Sequence, residues 1–403
     1  MSLRTIIPKY FVSAYATSQV LHAWDEAAET LYFQGLIGDP RIAGIEIPFL
    51  LDREAYPIEW LRKNIPPHWH LTITSLPAVM QLGDKNSKAG LASNSEPDRK
   101  IAVSLIDKVR QYAERLQQAF GRPLIKSINL YSSPRNSAMT LQGSKEALER
   151  SLAEITKMNW GSIALNLEHC DAFTLEHPAE KGFLSLTDEI EVLESVGSIG
   201  LVLNWGRSAI ETHSTEGPLQ HLLQALSHQL LRGFVFSGCT SDPQSLYGAW
   251  KDKHAPPQNL SSQSTAAAKG FVAPVLAPSS TLSTLTRSLS LVSPFGLPDG
   301  SLSHGPRPSV FLRCAPEAPC PSSAAATLKT GSQFLCSESL LGEKEISAVL
   351  ELLKNQELLQ SQNKEFYLGI KISNRSLPFG IQRSLAWNLK TIELLEDAMK
   401  KLK

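Results

Sequence analysis

Three ionisable residues of this chain stand where a β-strand would hold them out of water. Glu46 lies in Ile42-Ala43-Gly44-Ile45-Glu46-Ile47-Pro48, Glu168 closes Ala164-Leu165-Asn166-Leu167-Glu168, and Lys371 sits in Leu368-Gly369-Ile370-Lys371-Ile372. Each charge alternates with aliphatic residues. Strand side chains alternate sides, so the charges share the face opposite the aliphatics. Taking such a group out of water costs several kcal/mol unless it is paired or touches water or a ligand. Two carboxylates and an ammonium gathered in this way suit removal of a proton beside a carbonyl and its return to a neighbouring carbon. Glu46 and Glu168 are the expected acid/base pair. Lys371 is expected to stabilise the enediolate oxygen or, with a lowered pKa, to form a Schiff base. The plainer alternative is a Glu46–Lys371 ion pair that only fixes strand register.

The segments that follow the apolar runs add groups able to hold a polar substrate. They are Glu168-His169-Cys170-Asp171-Ala172, Asn204-Trp205-Gly206-Arg207-Ser208, Ser237-Gly238 and Tyr247-Gly248-Ala249-Trp250-Lys251-Asp252-Lys253-His254. Aromatic rings beside amides and hydroxyls fit a sugar face, which makes Tyr131, Asn166, Asn204, Trp205, Arg207, Ser237 and Trp250 the expected substrate contacts. Arg207 suits a carboxylate or phosphate substituent. Carboxylates and imidazoles at successive strand ends suit one divalent ion (Mn, Mg or Zn), with Glu168, His169, Asp252 and His254 as its donors. The expected partner is a small carbohydrate.

These side chains need a frame, and the pattern of the chain supplies one. Short apolar runs alternate with amphipathic stretches, as in β/α units. The strands are expected at Tyr10–Ala16, Ile42–Phe49, Trp69–Thr74, Ile125–Tyr131, Ser162–Glu168, Ile199–Asn204, Gly233–Ser237 and Phe366–Ser373. Helical spacing marks about Leu21–Phe33, Ile58–Leu61, Arg99–Phe120, a stretch opening at Ser144, Thr187–Val196, Pro218–Leu231, Glu343–Leu353 and Ile381–Met399. Eight strands, each followed by a helix, predict a (β/α)₈ TIM barrel spanning 1–403 as a single domain. An open doubly wound sheet is the competitor, but no glycine-rich phosphate fingerprint follows the first strand. The predicted inward set is Ser13, Glu46, Thr72, Thr74, Asn129, Tyr131, Asn166, Glu168, Asn204, Ser237 and Lys371. Strands four and seven end on Tyr131 and Ser237, whereas barrel glycosidases commonly carry carboxylates there. Hydrolysis with Glu46 and Glu168 therefore ranks below isomerisation, and a non-catalytic sugar-binding barrel is the remaining alternative.

One stretch interrupts the frame. Residues 255–334 are rich in Ser, Pro and Ala, with Asp299 and Glu317 their only acidic residues, and read as a disordered insertion after strand seven. A lid and a gene-model artefact are the alternatives. Another segment, Glu29-Thr30-Leu31-Tyr32-Phe33-Gln34-Gly35, looks like a protease tag-cleavage site, but it lies within a helical pattern and reads as native.

Composition sets the outer limits. Thirty-nine basic and 39 acidic residues cancel, so no overall field draws the chain to nucleic acid or an anionic membrane. A hydrophobic share of 42% belongs to a globular protein, and no apolar run reaches the roughly 20 residues of a spanning helix. Five cysteines without CxxC spacing give neither a disulfide framework nor a zinc ribbon. A cytoplasmic protein is expected, and association with a second copy is compatible with all of this.

Gly44-Ile45-Glu46-Ile47-Pro48-Phe49, Asn166–Ala172, Gly182-Phe183-Leu184, Leu203–Glu211 and Phe236-Ser237-Gly238 together resemble the domain-of-unknown-function 4862 family. The resemblance runs over nearly the whole chain outside the insertion. It implies a barrel similar to the xylose-isomerase-like group of sugar isomerases and epimerases. That group commonly binds its metal through Glu at strand five, Asp at strand six, a nearby His and Glu at strand eight. Glu168 matches the first position. Asn204 stands where the Asp would be and Lys371 near the strand-eight carboxylate, with Asp252 or His254 left to compensate.

Overall fold

In the computed structural model the described residues are 10–18, 20–258, 339–360, 365–373 and 381–402. Their apolar runs form eight parallel strands: β1 (Tyr10–Ser13), β2 (Ile42–Pro48), β3 (His70–Thr74), β4 (Ile125–Leu130), β5 (Ala164–Glu168), β6 (Gly200–Asn204), β7 (Leu231–Phe236) and β8 (Tyr367–Ile370). They pair in sequence order and close, β8 lying beside β1 with Tyr10 opposite Leu368 and Val12 opposite Ile370. This is the eight-stranded barrel that the alternation predicts.

Around it run α1 (Ala14–Thr17), α2 (Glu26–Ile37), α3 (Ile58–Asn64), α4 (Leu76–Lys85), α5 (Glu96–Phe120), α6 (Lys145–Ile155), α7 (Leu186–Val196), α8 (Trp205–Thr212), α9 (Gly217–Ser227), α10 (Glu343–Asn355) and α11 (Ile381–Lys401). Their ends follow local chemistry. The Ser144 side chain accepts from Ala147 N to open α6, and that of Ser185 accepts from Asp188 N to open α7. Gly121 and Gly197, with φ of 64° and 72°, close α5 and α7 in the left-handed region that glycine enters most readily. Among the described residues no helix is long and apolar enough to cross a membrane.

The barrel wall separates two apolar regions. Outward-facing Ile45, Ile47, Leu71, Ile73, Ile128, Leu130, Leu167, Leu201, Leu203, Phe234, Phe236, Leu368 and Ile370 join the helices in one continuous core. Inside, Phe11, Val202, Val235 and Tyr367 form a separate small cluster. The Phe11 and Tyr367 rings pack there with centroids 5.3 Å apart. The rest of the interior is polar, because the inward register of β2 to β5 carries Glu46, Thr72, Thr74, Ser127, Asn129, Asn166 and Glu168.

Three elements differ from the sequence reading. Strand one ends at Ser13, and Ala14–Thr17 turn into α1 instead of continuing to Ala16. Helices α4 and α8 had no predicted counterpart. Both are short, and Leu76, Ala78 and Val79 of α4 pack with Leu105, Tyr131, Cys170 and Phe183 over the strand ends, a contact set by tertiary structure. At the insertion, Ala255–Gln258 still belong to the barrel: Ala255 bridges Gly238, and Gln258 N donates to Leu341 O at 2.7 Å. Its remainder, 259–334, lies outside the described residues. The tag-like segment falls inside α2, with Glu29, Tyr32 and Phe33 buried.

Two glycines give a contrast in sign. A Cβ at Gly233 would fall 2.7 Å from the Tyr367 ring, whereas one at Gly83 in α4 meets nothing within 4 Å. Denaturant unfolding should show Gly233→Ala losing about 1–3 kcal/mol through overpacking. Gly83→Ala should gain about 0.5–1 kcal/mol of helix propensity. Equal effects would contradict the packed interior.

Candidate active site

Four elements deliver the central charges. Glu46 projects from β2 opposite Ser13 of β1 and Thr72 of β3, and Glu168 is the last residue of β5. Lys371 follows β8, its N–H still donating to Phe236 O at 3.0 Å, so that the strand's inward register continues one residue past its end. Arg207 sits in the first turn of α8. That helix starts where it does because Asn204 Oδ1 accepts from Gly206 N at 3.1 Å and Arg207 N at 3.4 Å, while Ser237 Oγ donates to the same oxygen at 2.9 Å.

These side chains converge. Lys371 Nζ lies 3.3 Å from Glu46 Oε2 and 3.8 Å from Glu168 Oε1. Arg207 Nη1 donates to Glu168 Oε1 at 2.6 Å, and its Nε donates to Asp252 Oδ2 at 3.2 Å. Tyr131 OH donates to Glu168 Oε2, Thr74 Oγ1 lies 2.6 Å from that hydroxyl, and Ser13 Oγ donates to Glu46. Asn129 Nδ2 is 3.4 Å from both Glu46 Oε1 and Glu168 Oε2, so one amide and one ammonium each reach both carboxylates. The Tyr15 ring lies 5.0 Å from Lys371 Nζ.

All of this is buried, and the hydrogen bonding is incomplete. Lys371 Nζ, Arg207 Nη2, Asn204 Nδ2, Asn129 Oδ1 and Asn166 Oδ1 have no hydrogen-bond partner although none touches solvent. An orphaned buried polar atom costs about 1–3 kcal/mol. Five such atoms lie at or beside the barrel interior, and buried polar groups of this kind are ordinarily hydrogen-bonded.

The pKa values of the two carboxyls are pushed in opposite directions. Burial dominates at Glu46 and, with repulsion from Glu168, outweighs the pull of Lys371, so its pKa lies above the ordinary value. Burial also opposes charge at Glu168, but Arg207, Lys371 and the Tyr131 hydroxyl outweigh it and hold the group below its usual range. At Lys371 burial favours the neutral amine, yet Glu168 and Glu46 together keep it protonated well past the normal lysine range. Asp252 is likewise kept ionised against burial by Arg207, His254 and Lys181.

The resemblance implies a divalent metal at this mouth, and the side chains present do not fit one. Glu168 is already engaged by two cations, the Asn204 amide oxygen caps α8, and an ammonium stands at strand eight. Nor do the four expected donors converge. Asp252 pairs with Arg207, Lys181 and His254, the last at 3.1 Å. His169 points away from Glu168 because successive strand residues face opposite sides. Its Nδ1 lies 2.7 Å from Glu189 Oε2 and its Nε2 2.8 Å from Glu211 Oε2. Among the described residues, the metal-capable donors within 4.8 Å of one another are His169, Glu211 and His221. These three could hold a metal ion, and both His169 nitrogens meet carboxylates there.

Of the expected substrate contacts, Tyr131, Asn166, Asn204, Arg207 and Ser237 do line the interior. Trp205 does not: it lies fully buried in the apolar core between strands and helices. Trp250 stacks on His213 at 4.4 Å, and His213 on His177 at 3.5 Å, tying the loops after β7 and β5 to the end of α8. Two participants escaped the sequence reading. Tyr15 shares the parity of Phe11 and Ser13, a signal that was available. Lys181, 3.3 Å from Asp252, reaches the site because Asp171 Oδ2 accepts from its backbone N at 2.7 Å. No local pattern announces that loop closure.

The His169 clamp makes a pH prediction. Burial favours neutral imidazole, but Glu189 and Glu211 outweigh it and raise its pKa from 6.5 to about 10. Below pH 6.5 the imidazolium is present folded and unfolded, and its stabilisation is complete. That stabilisation is lost as pH rises towards 10, because the unfolded chain gives up the proton first. Unfolding free energy should fall between pH 7 and 10 with up to about 1.4 kcal/mol per unit from this group. His169→Gln should flatten that slope; identical slopes in both proteins would contradict the clamp.

Comparison with known proteins agrees with the motif reading. Residues 11–276 match the model of a family described as a domain of unknown function, DUF4862. The chain is 34% identical over 256 residues to the uncharacterized protein STM3670 of Salmonella typhimurium, covering 62% of this chain and 81% of that one. Among solved structures it is similar to the IOLI protein with a bound zinc atom, at 10% identity and a TM-score of 0.48 over 97% of this chain and 99% of that one. It is also similar to a xylose isomerase domain protein from Alicyclobacillus acidocaldarius subsp. acidocaldarius, at 10% identity and a TM-score of 0.43, again over 97% and 99% of the two chains. With the family model spanning well over half its length, the chain belongs to the DUF4862 family.

Proposed function

We propose that this barrel is an enzyme that isomerises or epimerises a small carbohydrate or sugar derivative by proton transfer. The observation that carries the reading is the pair of buried carboxyls with opposite proton preferences, both reached by Lys371. Pairs of acids pushed apart in this way divide the roles of acid–base chemistry between them.

The more open of the two is Glu46, whose side chain keeps 8% of its exposure while that of Glu168 keeps none. Its raised pKa brings it nearer the operating pH, where a proton carrier works best. Glu46 as carboxylate takes the proton from the carbon beside the substrate carbonyl, and the electron pair moves onto the carbonyl oxygen. The Lys371 ammonium faces that developing charge and needs no reorganisation to do so. The proton carried by Glu46 then returns to the former carbonyl carbon, while the hydroxyl proton of the first carbon passes to the oxyanion, so that the new carbonyl forms at the first carbon. Glu168 is the fixed anion: locked by Arg207 and Tyr131, it holds both cations in place. The protonation of Lys371 disfavours the Schiff-base route, which needs a neutral amine. No step is assigned to a metal.

The test is a screen of ketoses, aldoses and uronates with purified protein, followed by substitution. Glu46→Gln should lower turnover by about 10²- to 10⁴-fold with the circular dichroism spectrum unchanged. Wild-type turnover in that variant, or tight sugar binding with no conversion of any compound, would overturn the reading. The second of those outcomes would identify a binding protein.

A further inference from the structure

Two buried cations here retain donors with nothing to receive them. Arg207 uses Nη1 on Glu168 and Nε on Asp252, which leaves Nη2 without a partner. Lys371 Nζ lies within ion-pair distance of two carboxylates yet makes no hydrogen bond. Both side chains are fully buried, and both lean on the same oxygen, Glu168 Oε1. The two cations therefore meet at one carboxylate oxygen, each with a nitrogen that makes no hydrogen bond. Buried cationic donors are rarely left unmet, and a charge-assisted bond to either is about twice as strong as a neutral one.

The same geometry that excludes a divalent ion thus offers its substitute. An ammonium and a guanidinium stand beside Glu168, where the resemblance calls for a metal. They supply positive charge together with directed N–H groups, which a bare cation lacks. We propose that Lys371 and Arg207 act as a metal-free cradle for an anionic oxygen pair, and that the ligand is a sugar acid of the uronate class, which carries both a carboxylate and a carbonyl. This rests on the proton-transfer reading above and narrows its substrate.

The choice of carboxylate over phosphate follows from the count and the surroundings. Two unpartnered cationic nitrogens suit the two oxygens of a monoanion. A phosphate dianion has a third oxygen to satisfy and would meet Glu168, Asp252 and Glu46 at close range, where like charges are costly. The unpartnered Asn129 Oδ1 and Asn166 Oδ1 accept hydrogen bonds from hydroxyls, so the remainder of the ligand is polyhydroxylated.

Calorimetry on the full chain tests this with D-glucuronate, D-gluconate and D-glucose, each in EDTA and in excess Mn²⁺ or Zn²⁺. The expected result is that glucuronate binds at least tenfold more tightly than glucose and equally well with EDTA or metal. Lys371→Met and Arg207→Lys should each weaken that binding at least tenfold, with unfolding curves run on both variants. Arg207→Lys keeps the charge and loses Nη2, so it remains informative if Lys371→Met fails to fold. Elemental analysis after metal loading should find no ion whose retention depends on Glu168. Glucose binding as tightly as glucuronate, or a stoichiometric ion lost in Glu168→Gln, would overturn the cradle while leaving proton transfer intact. Failure of every sugar and sugar acid to bind or react would overturn both.

Discussion

The Lys371 ammonium, shut inside the barrel between Glu46 and Glu168, is the constraint from which the rest of the site follows. A lone ammonium there would lose its proton, and a lone pair of carboxylates would each take one up. Together they hold one another charged, but not equally. Arg207 and Tyr131 donate hydrogen bonds to Glu168 and not to Glu46, so Glu168 is held below its usual range while Glu46 lies above it. The asymmetry comes from which strand ends bring which neighbours, since Glu168 stands beside the start of α8 whereas Glu46 has Ser13 and Asn129.

That arrangement depends on the barrel keeping its two apolar regions apart. The outer core holds strands to helices and supplies the bulk of the burial, as in any barrel of this kind. The inner cluster of Phe11, Val202, Val235 and Tyr367 fills part of the interior. Charges in such surroundings act at low effective dielectric, which strengthens both their attraction and the penalty for leaving any of them unmatched. Orphaned atoms of Lys371, Arg207, Asn129, Asn166 and Asn204 are among those that bear this penalty.

Much of this was legible in the chain because strand alternation is strict. The parity of Ile45-Glu46-Ile47 or Leu167-Glu168 settles which side chain faces inward once a barrel is assumed, and Glu46, Asn166, Glu168 and Lys371 all obey it. The count of apolar runs gave the eight strands. Parity also explains one miss: His169, adjacent to Glu168, faces outward, and its partners Glu189 and Glu211 come from α7 and α8 at sequence distances of 20 and 42 residues. Trp205 was misplaced for the same reason, since it alternates with Asn204 and falls on the outer side with Leu201 and Leu203. Lys181 and the His177–His213–Trp250 stack are products of loop closure, for which local periodicity carries no signal.

Nitrogen-15 spectroscopy of lysine-labelled protein, with Lys371→Met to assign the resonance, tests the central claim most directly. The Lys371 Nζ signal should remain that of an ammonium from neutral pH to beyond 10.4, the ordinary lysine value. An amine that loses its proton near or below neutrality would contradict the account. Glu46 and Glu168 would then have no shared cation, and neither the division of labour between them nor the oxyanion cradle could stand.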